Sequence, residues 1–381
     1  MQLSRDRILT THVGSLPRPE SLRETLMARE AGEAPDQAAF DAAVRTAVAD
    51  VVRRQVETGI DVVSDGEMSK ISYATYVKDR YAGFGGEGRR KGAADLMDYR
   101  EFARHLVKIG GTIPSASGPV CLGPITPKDK APLLADLANF KAAIAATPPL
   151  EAFMNAASPG VVSVFLENRH YPNHEAYLEA LAAVLKEEYE AIVGAGFLLQ
   201  IDCPDLAMGR HLAFADKSED EFRRLAAQHI EVLNAATAGI APEAMRLHLC
   251  WGNYEGPHHH DIGLGRIVDI VVGARPMALS IEGSNPRHEH EWEVFAETPL
   301  PDDKVLLPGV IDSTSNFIEH PRLVAQRIER YAGVVGRERV IASADCGFAT
   351  FAGYPNVFPD IAWAKLAALV EGAGIASRKL W

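Results

Sequence analysis

Eight short apolar runs, each closed by a polar, reactive or turn-forming residue, constrain the fold of this chain more than any other feature. They read TTHVGS at 10–15, DVVSDGE at 61–67, FMNAASPG at 153–160, FLLQIDCP at 197–204, MRLHLCWG at 245–252, MALSIEG at 277–283, VLLPGVID at 305–312 and VIASADCG at 340–347. Runs of this length suit strands buried on both faces. Between them lie stretches with apolar residues at helical spacing, such as HEAYLEALAAVLKEEYEAIVGAG, which ends on glycine. Strand and helix alternating in this way predict an α/β chain folded as a single (β/α)8 TIM-type barrel over residues 1–381. A doubly wound open sheet is the competing architecture, but it gathers its polar residues at one switch point. In this chain Ser15, Glu67, Asp202, Cys250, Glu282, Asp312 and Cys346 each close a different run. A ring of strand ends is the active-site face of a barrel.

Two segments exceed a minimal barrel. Residues 16–58 hold a Pro-rich turn and helical stretches, an N-terminal helical extension expected to act as a lid or brace. Residues 80–118 are rich in glycine and charge and predict a long loop excursion over the barrel mouth, with GPVCLGPITPKD at 118–129 as a short extra strand.

The chemistry concentrates on four residues. His248 and Cys250 are two apart on one run, so a strand points both to the same side. Glu282 and Cys346 come from the ends of two further runs. One imidazole, two thiolates and a carboxylate make a tetrahedral set that suits Zn2+. A closed structural zinc site is the alternative, but such sites favour Cys pairs on tight turns, not three separate strand ends. Four cysteines in 381 residues do not make a disulfide framework and suit a reducing cytoplasm. Cys121 and Cys203 read as ordinary core residues. A net charge of −12 argues against nucleic acid or an anionic membrane as partner. The N-terminal stretch lacks the long apolar segment of a signal peptide or membrane anchor. Oligomeric state stays open, with a homo-oligomer among the expectations.

The motifs TTHVGSLPRP, DGEMSKISY, LQIDCPDLAMGRH, HLCWGN, IEGSNPRHEHEWEVF, LPGVID and ADCGF follow one another along nearly the whole chain. In this set and order the sequence resembles the catalytic barrel of the cobalamin-independent methionine synthases, within a wider group of zinc-dependent thiol alkyltransferases. The resemblance implies zinc held by His248, Cys250, Glu282 and Cys346. It implies an amino-acid thiol with its ammonium on Glu67 and Asp202 and its carboxylate on the backbone from Val13 to Ser15. The implied reaction is methyl transfer to homocysteine, giving methionine. Three departures stand out: there is one barrel where the full synthase has two, Thr314 stands where the family has an acid histidine, and NYEGPHHHDIGLG is inserted after Cys250. The donor stays open among a folate, a corrinoid protein, a sulfonium compound and an epoxide.

A thiol is mostly protonated at neutral pH, and a zinc ion strips that proton by stabilising the thiolate. Glu282 is expected to yield as the substrate sulfur arrives. Within the histidine run, His258 is the expected proton donor to the leaving group, with Asp312 helping to hold such a donor. Trp251, turned from the metal by alternation, is expected to pack in the core; Arg210 and His211 either touch a substrate tail or cap a helix. Paired carboxylates favour an ammonium over the sulfonate of coenzyme M, which would need a basic pocket. Two rival readings are an epoxyalkane:coenzyme M transferase and a metal-free lyase related to the porphyrinogen decarboxylases.

Overall fold

The computed structural model describes residues 1–89, 92–108, 117–353 and 356–381. Its strands are β1 (Leu9–Thr10), β2 (Val62–Val63), β3 (Tyr81–Arg89), β4 (Ser117–Pro127), β5 (Glu151–Ala157), β6 (Leu198–Asp202), β7 (Met245–Leu249), β8 (Ala278–Ile281), β9 (Val305–Ile311) and β10 (Ile341–Ala344). Eight of them form one sheet in the order β1-β10-β9-β8-β7-β6-β5-β2, with parallel pairing throughout. This is chain order wrapped round on itself. The two ends meet where Asp61 N donates to Thr10 O at 3.2 Å and Thr11 Oγ1 to Val62 O at 3.0 Å. The sheet thus closes as the (β/α)8 barrel that the eight runs predict. β6, β8 and β9 stop at or just before Asp202, Glu282 and Asp312, and β1 and β2 stop five and four residues before Ser15 and Glu67, which leaves these residues beyond the strands at the C-terminal end of the barrel.

Helices cover the outside, among them Gln37–Thr58, His174–Gly194, Glu219–Ala236, Pro321–Val335 and Pro359–Leu380. Local signals set their ends. Ser218 and Glu221 form a reciprocal capping box, and Gly59 closes Gln37–Thr58 with φ 94°. The extension at 16–58 supplies helices Glu20–Glu30 and Gln37–Thr58, and the second braces the barrel: buried Gln55 donates to Ser64 O at 2.8 Å. The excursion is more ordered than a loop. β3 pairs antiparallel with β4, and helices Ala94–Asp98 and Arg100–Lys108 lie between them. Residues 90–91 and 109–116 of the excursion lie outside the described residues. Its base is fixed by buried Arg80, which bridges Glu188 and, at 2.5 Å, Asp136.

Inside the barrel the N-terminal end is apolar, with Leu9, Ala278, Val305, Leu307 and Ile341 in one cluster. Farther along, buried Arg246 lies over the Phe153 ring and donates to Thr11 Oγ1 at 2.9 Å and His12 O at 2.7 Å. The interior therefore changes from hydrocarbon to hydrogen-bonded polar groups on the way to the rim.

Candidate active site at the barrel mouth

His248, Cys250 and Cys346 bring Nε2 or Nδ1 and two Sγ atoms within 4.8 Å of one another, all buried. His248 lies on β7, Cys250 one residue past its end, and Cys346 two residues past β10. The His248 Nδ1 is 3.3 Å from Ser280 Oγ, while Nε2 is buried with no partner. With the ring proton on Ser280, that orphaned nitrogen carries a lone pair toward the two sulfurs, the arrangement of a metal ligand. The Cys250 thiol is held well below its usual range by a hydrogen bond from Cys346, against the opposing effect of burial. Cys346, as the donor and also buried, is pushed up. One proton between two sulfurs is a donor set suited to a soft cation. Glu282 does not join this group of three. Its Oε1 accepts from Trp251 N at 2.8 Å and its Oε2 from Asn285 Nδ2 at 2.7 Å. Burial first, then the Cys250 charge, raises its carboxyl well above the usual range, with His288 opposing.

Glu67 and Asp202 face the same space. Two successive residues in left-handed backbone, Gly66 at φ 67° and Glu67 at φ 57°, turn the Glu67 side chain inward. A non-glycine residue held there costs on the order of 1–2 kcal/mol, a strain typical of functional turns. Glu67 Oε2 is buried and has no partner. Burial pushes its carboxyl up to about 8, with Lys70 opposing and Asp202 adding to the rise. Asp202 is raised too, by burial, with His248, Asn155 and Gln200 opposing. It accepts from Gln200 Nε2 at 2.8 Å and Asn155 Nδ2 at 3.0 Å. The nearby cations are committed elsewhere: Arg18 donates to the carbonyls of Glu67, Lys70 and Ala349, and Lys70 to Asn155 O. Among the described residues neither carboxylate has an ion-pair partner.

These groups share one cavity of about 760 Å³, lined by Val13, Ser15, Glu67, Asp202, His248, Cys250 and Cys346 together with apolar and aromatic side chains. Its described walls carry no Lys or Arg. Gly14 allows the first-strand loop to approach: φ is 135°, and a Cβ there would lie 2.3 Å from Asn155 Oδ1.

Three sequence candidates are not on this wall: Glu282, held by Trp251 and Asn285, together with His258 and Asp312. His258 is fully engaged, Nδ1 with Asp261 Oδ2 at 2.9 Å and Nε2 with Tyr254 O at 3.0 Å. Asp312 accepts from Thr314 N, Thr314 Oγ1 and Ser315 N and so shapes its own turn. Trp251 packs in the core, its Nε1 on Ile262 O at 2.6 Å. Three residues of the site escaped the sequence analysis. Gln200 precedes Asp202 by two and so shares its strand face, and Asn155 lies on the third run; both positions were legible. Tyr254 comes from an irregular loop that no periodicity marks. His211, expected either to touch a substrate tail or to cap a helix, lines the cavity.

A family model described as "Cobalamin-independent synthase, Catalytic domain" matches residues 8–87 and 164–369. The chain belongs to that family. It is 27% identical over 374 residues to a methionine synthase of Sulfolobus acidocaldarius, covering 97% of this chain and 93% of the relative. It is 24% identical over 412 residues to the 2-hydroxypropyl-CoM lyase of Xanthobacter autotrophicus, covering 98% and 96%. The B12-independent methionine synthase of Shewanella, solved with selenomethionine, shares the fold at a TM-score of 0.73 and 20% identity, covering 98% of this chain and 99% of that one.

Proposed function

We propose that this protein is a zinc-dependent S-methyltransferase that methylates homocysteine to methionine. The observation that carries this reading is one cavity wall holding two unsatisfied features. One is His248 Nε2 beside two cysteine sulfurs; the other is Glu67 and Asp202 without a cation. The first suits a metal, the second an ammonium group. His248, Cys250 and Cys346 would hold zinc, with Glu282 behind them as the ligand that exchanges with substrate. Zinc bound there would keep the substrate sulfur as a thiolate at neutral pH.

The protein's own groups do the rest. Glu67 and Asp202 take the ammonium by charge-assisted hydrogen bonds, which orients the amino acid and points its sulfur at the metal group. The backbone at Val13 and Ser15 closes on the carboxylate. The remaining apolar volume holds the donor and excludes water. His258 and Asp312 serve in this reading as braces of the loops around the mouth. Four free cysteines and the lack, among the described residues, of any helix able to cross a membrane support a reducing cytoplasm.

The likeness to a 2-hydroxypropyl-CoM lyase supports a second reading, coenzyme M addition to an epoxide. A sulfonate calls for cations that the described cavity wall lacks. X-ray absorption at zinc decides between the two. A change from two sulfur ligands to three on adding homocysteine is the expected result. The same change with coenzyme M alone supports the second reading, and no change with either overturns both.

A further inference from the structure

The cavity holds a second built feature that the thiol site does not use. Asp261, whose side chain is 1% exposed, receives three histidines. His258 Nδ1 and His288 Nε2 lie 2.9 and 3.0 Å from its Oδ2, and His211 Nδ1 lies 3.1 Å from its Oδ1. The two Oδ2 contacts fix the carboxylate, and His288 is itself fixed by Glu291 at 2.8 Å and by stacking on Trp251 at 4.0 Å. The Oδ1 contact is out of line for a hydrogen bond, and both atoms are buried without another hydrogen-bond partner, so the two groups face only each other. Of the three imidazoles on Asp261, only His211 lines the cavity. Its Nε2 faces the Tyr254 hydroxyl at 3.5 Å, whose own proton goes to Asp95 Oδ2 at 2.7 Å. His211 N donates to Met208 O at 3.2 Å and Met208 N to Cys250 O at 3.2 Å, and all three residues line the same cavity.

The other proton-bearing groups on the described wall suit the task less well. His174 is driven down to about 4 by burial and the neighbouring His229, so it stays neutral. Tyr73 and Tyr177 are pushed up by burial. Glu67 faces the expected ammonium. A buried carboxylate behind an imidazole whose other nitrogen faces a substrate cavity is the arrangement of a general acid.

We propose that His211 is the proton donor to the departing part of the alkyl donor, and that Asp261 is the residue that positions it. This rests on the thiol-alkylation reading. The donor it fits is a tertiary N-methyl amine, whose nitrogen must take up a proton to leave. The thiolate sulfur forms the bond to the methyl carbon as the carbon–nitrogen bond breaks. The bonding pair stays on nitrogen, and the His211 imidazolium gives its Nε2 proton to that nitrogen. The products are the methylated thiol, a secondary amine and a neutral imidazole, which regains its proton from solvent. The charged and titratable groups facing His211 are Asp261, Tyr254 and His258 from the loop after β7 and Asp95 from the lid helix. His288 acts through Asp261.

The test uses the full zinc-loaded chain with homocysteine and 5-methyltetrahydrofolate as the probe amine. His211→Ala is expected to lose about 100- to 1,000-fold in turnover, with zinc content and the homocysteine-induced third sulfur ligand unchanged. Added imidazole should restore part of the rate, with rescue increasing as the imidazolium fraction rises below pH 7. Asp261→Asn should lose about tenfold in kcat with KM for the amine little changed, because the imidazole is no longer held in place. A loss without imidazole rescue, no loss at all, or a wild-type protein that takes up homocysteine at zinc but never turns over the amine overturns the proposal and spares the thiol reading. Failure to take up homocysteine at zinc overturns that reading itself.

Discussion

Two groups of buried carboxylates face one cavity and are treated in opposite ways. Asp261 is paired, with three histidines against its two oxygens, and those contacts hold its carboxyl below the usual range against the effect of burial. Glu67 and Asp202 have no counter-cation among the described residues, and burial drives both upward. A carboxylate that a fold needs for stability is paired by the fold. One left unpaired in a strained backbone is more costly to keep, and the imbalance marks the place where a ligand completes the charge. The same contrast holds for the histidines: His258 and His288 have both ring nitrogens engaged, whereas His248 keeps Nε2 free beside two sulfurs.

The largest effect should come from emptying the metal side of this comparison. Cys346→Ser removes a thiolate donor and should lower zinc affinity and transfer by at least about 100-fold, while the far-ultraviolet spectrum stays native. Zinc content by atomic absorption alongside the rate checks this, and a fully loaded, fully active variant would remove the site assignment.

On the unpaired side, Glu67→Gln should weaken homocysteine binding by about 10- to 100-fold, the value of one charge-assisted hydrogen bond. Zinc content should not change. The same substitution should raise the stability of the ligand-free protein. In the fold burial pushes the Glu67 carboxyl up to about 8, above the ordinary 4.5, so between those values the native state holds a proton that the unfolded chain has released. Stability from this group therefore falls as pH rises from about 4.5 to 8, and glutamine removes that loss. Thermal melts at pH 5 and pH 8 should show the variant gaining more at pH 8, by about 2 °C or more. A variant less stable than wild type at pH 8 would mean that the fold pairs Glu67 after all.

The paired side should show the reverse trend. Asp261 raises His258 to about 9 and His288 to about 10, both above the usual 6.5. Their contribution is complete below about 6.5 and is lost as pH climbs through 9 to 10. Asp261→Asn should therefore destabilise most at neutral pH, by about 3 kcal/mol for breaking a buried pair, and little near pH 10. A deficit that stays constant from pH 7 to 10 would detach those histidines from Asp261.

Most of the fold was legible because parallel strands buried on both faces leave apolar runs, and a barrel repeats them eight times. The grouping of His248 with Cys250 was legible because alternation on β7 puts both on one side. β4 was expected as a short extra strand at 118–129, but its partner β3 was not legible, since YAGFGGEGR has too few large side chains to show a period. The pairing of His211 with Asp261 was hidden for another reason: it depends on two irregular loops folding toward each other, which one-dimensional spacing does not encode. Glu282 was placed correctly on its strand end, but its hydrogen bonds to Trp251 and Asn285 hold it a step behind the three metal-group atoms, a detail of side-chain geometry rather than of register.

The smallest expected effect tests the residue on which sequence and structure differ most. Asp312 closes the seventh run, as Glu67, Asp202 and Glu282 close theirs, and on that analogy it belongs to the chemistry. In the fold its carboxylate caps the turn 312–315, and its backbone N–H donates to Glu319, which pairs with buried Lys365. Its carboxyl is lowered by the Thr314 and Ser315 hydrogen bonds, against burial, as a turn cap would be. Asp312→Asn keeps one acceptor oxygen, so it should cost about 1 kcal/mol of stability and leave homocysteine methylation within about twofold of wild type. Measuring melt and rate together separates the two roles. A drop in rate beyond the loss of folded protein would put Asp312 back in the active site and show that the strand-end analogy was the better guide.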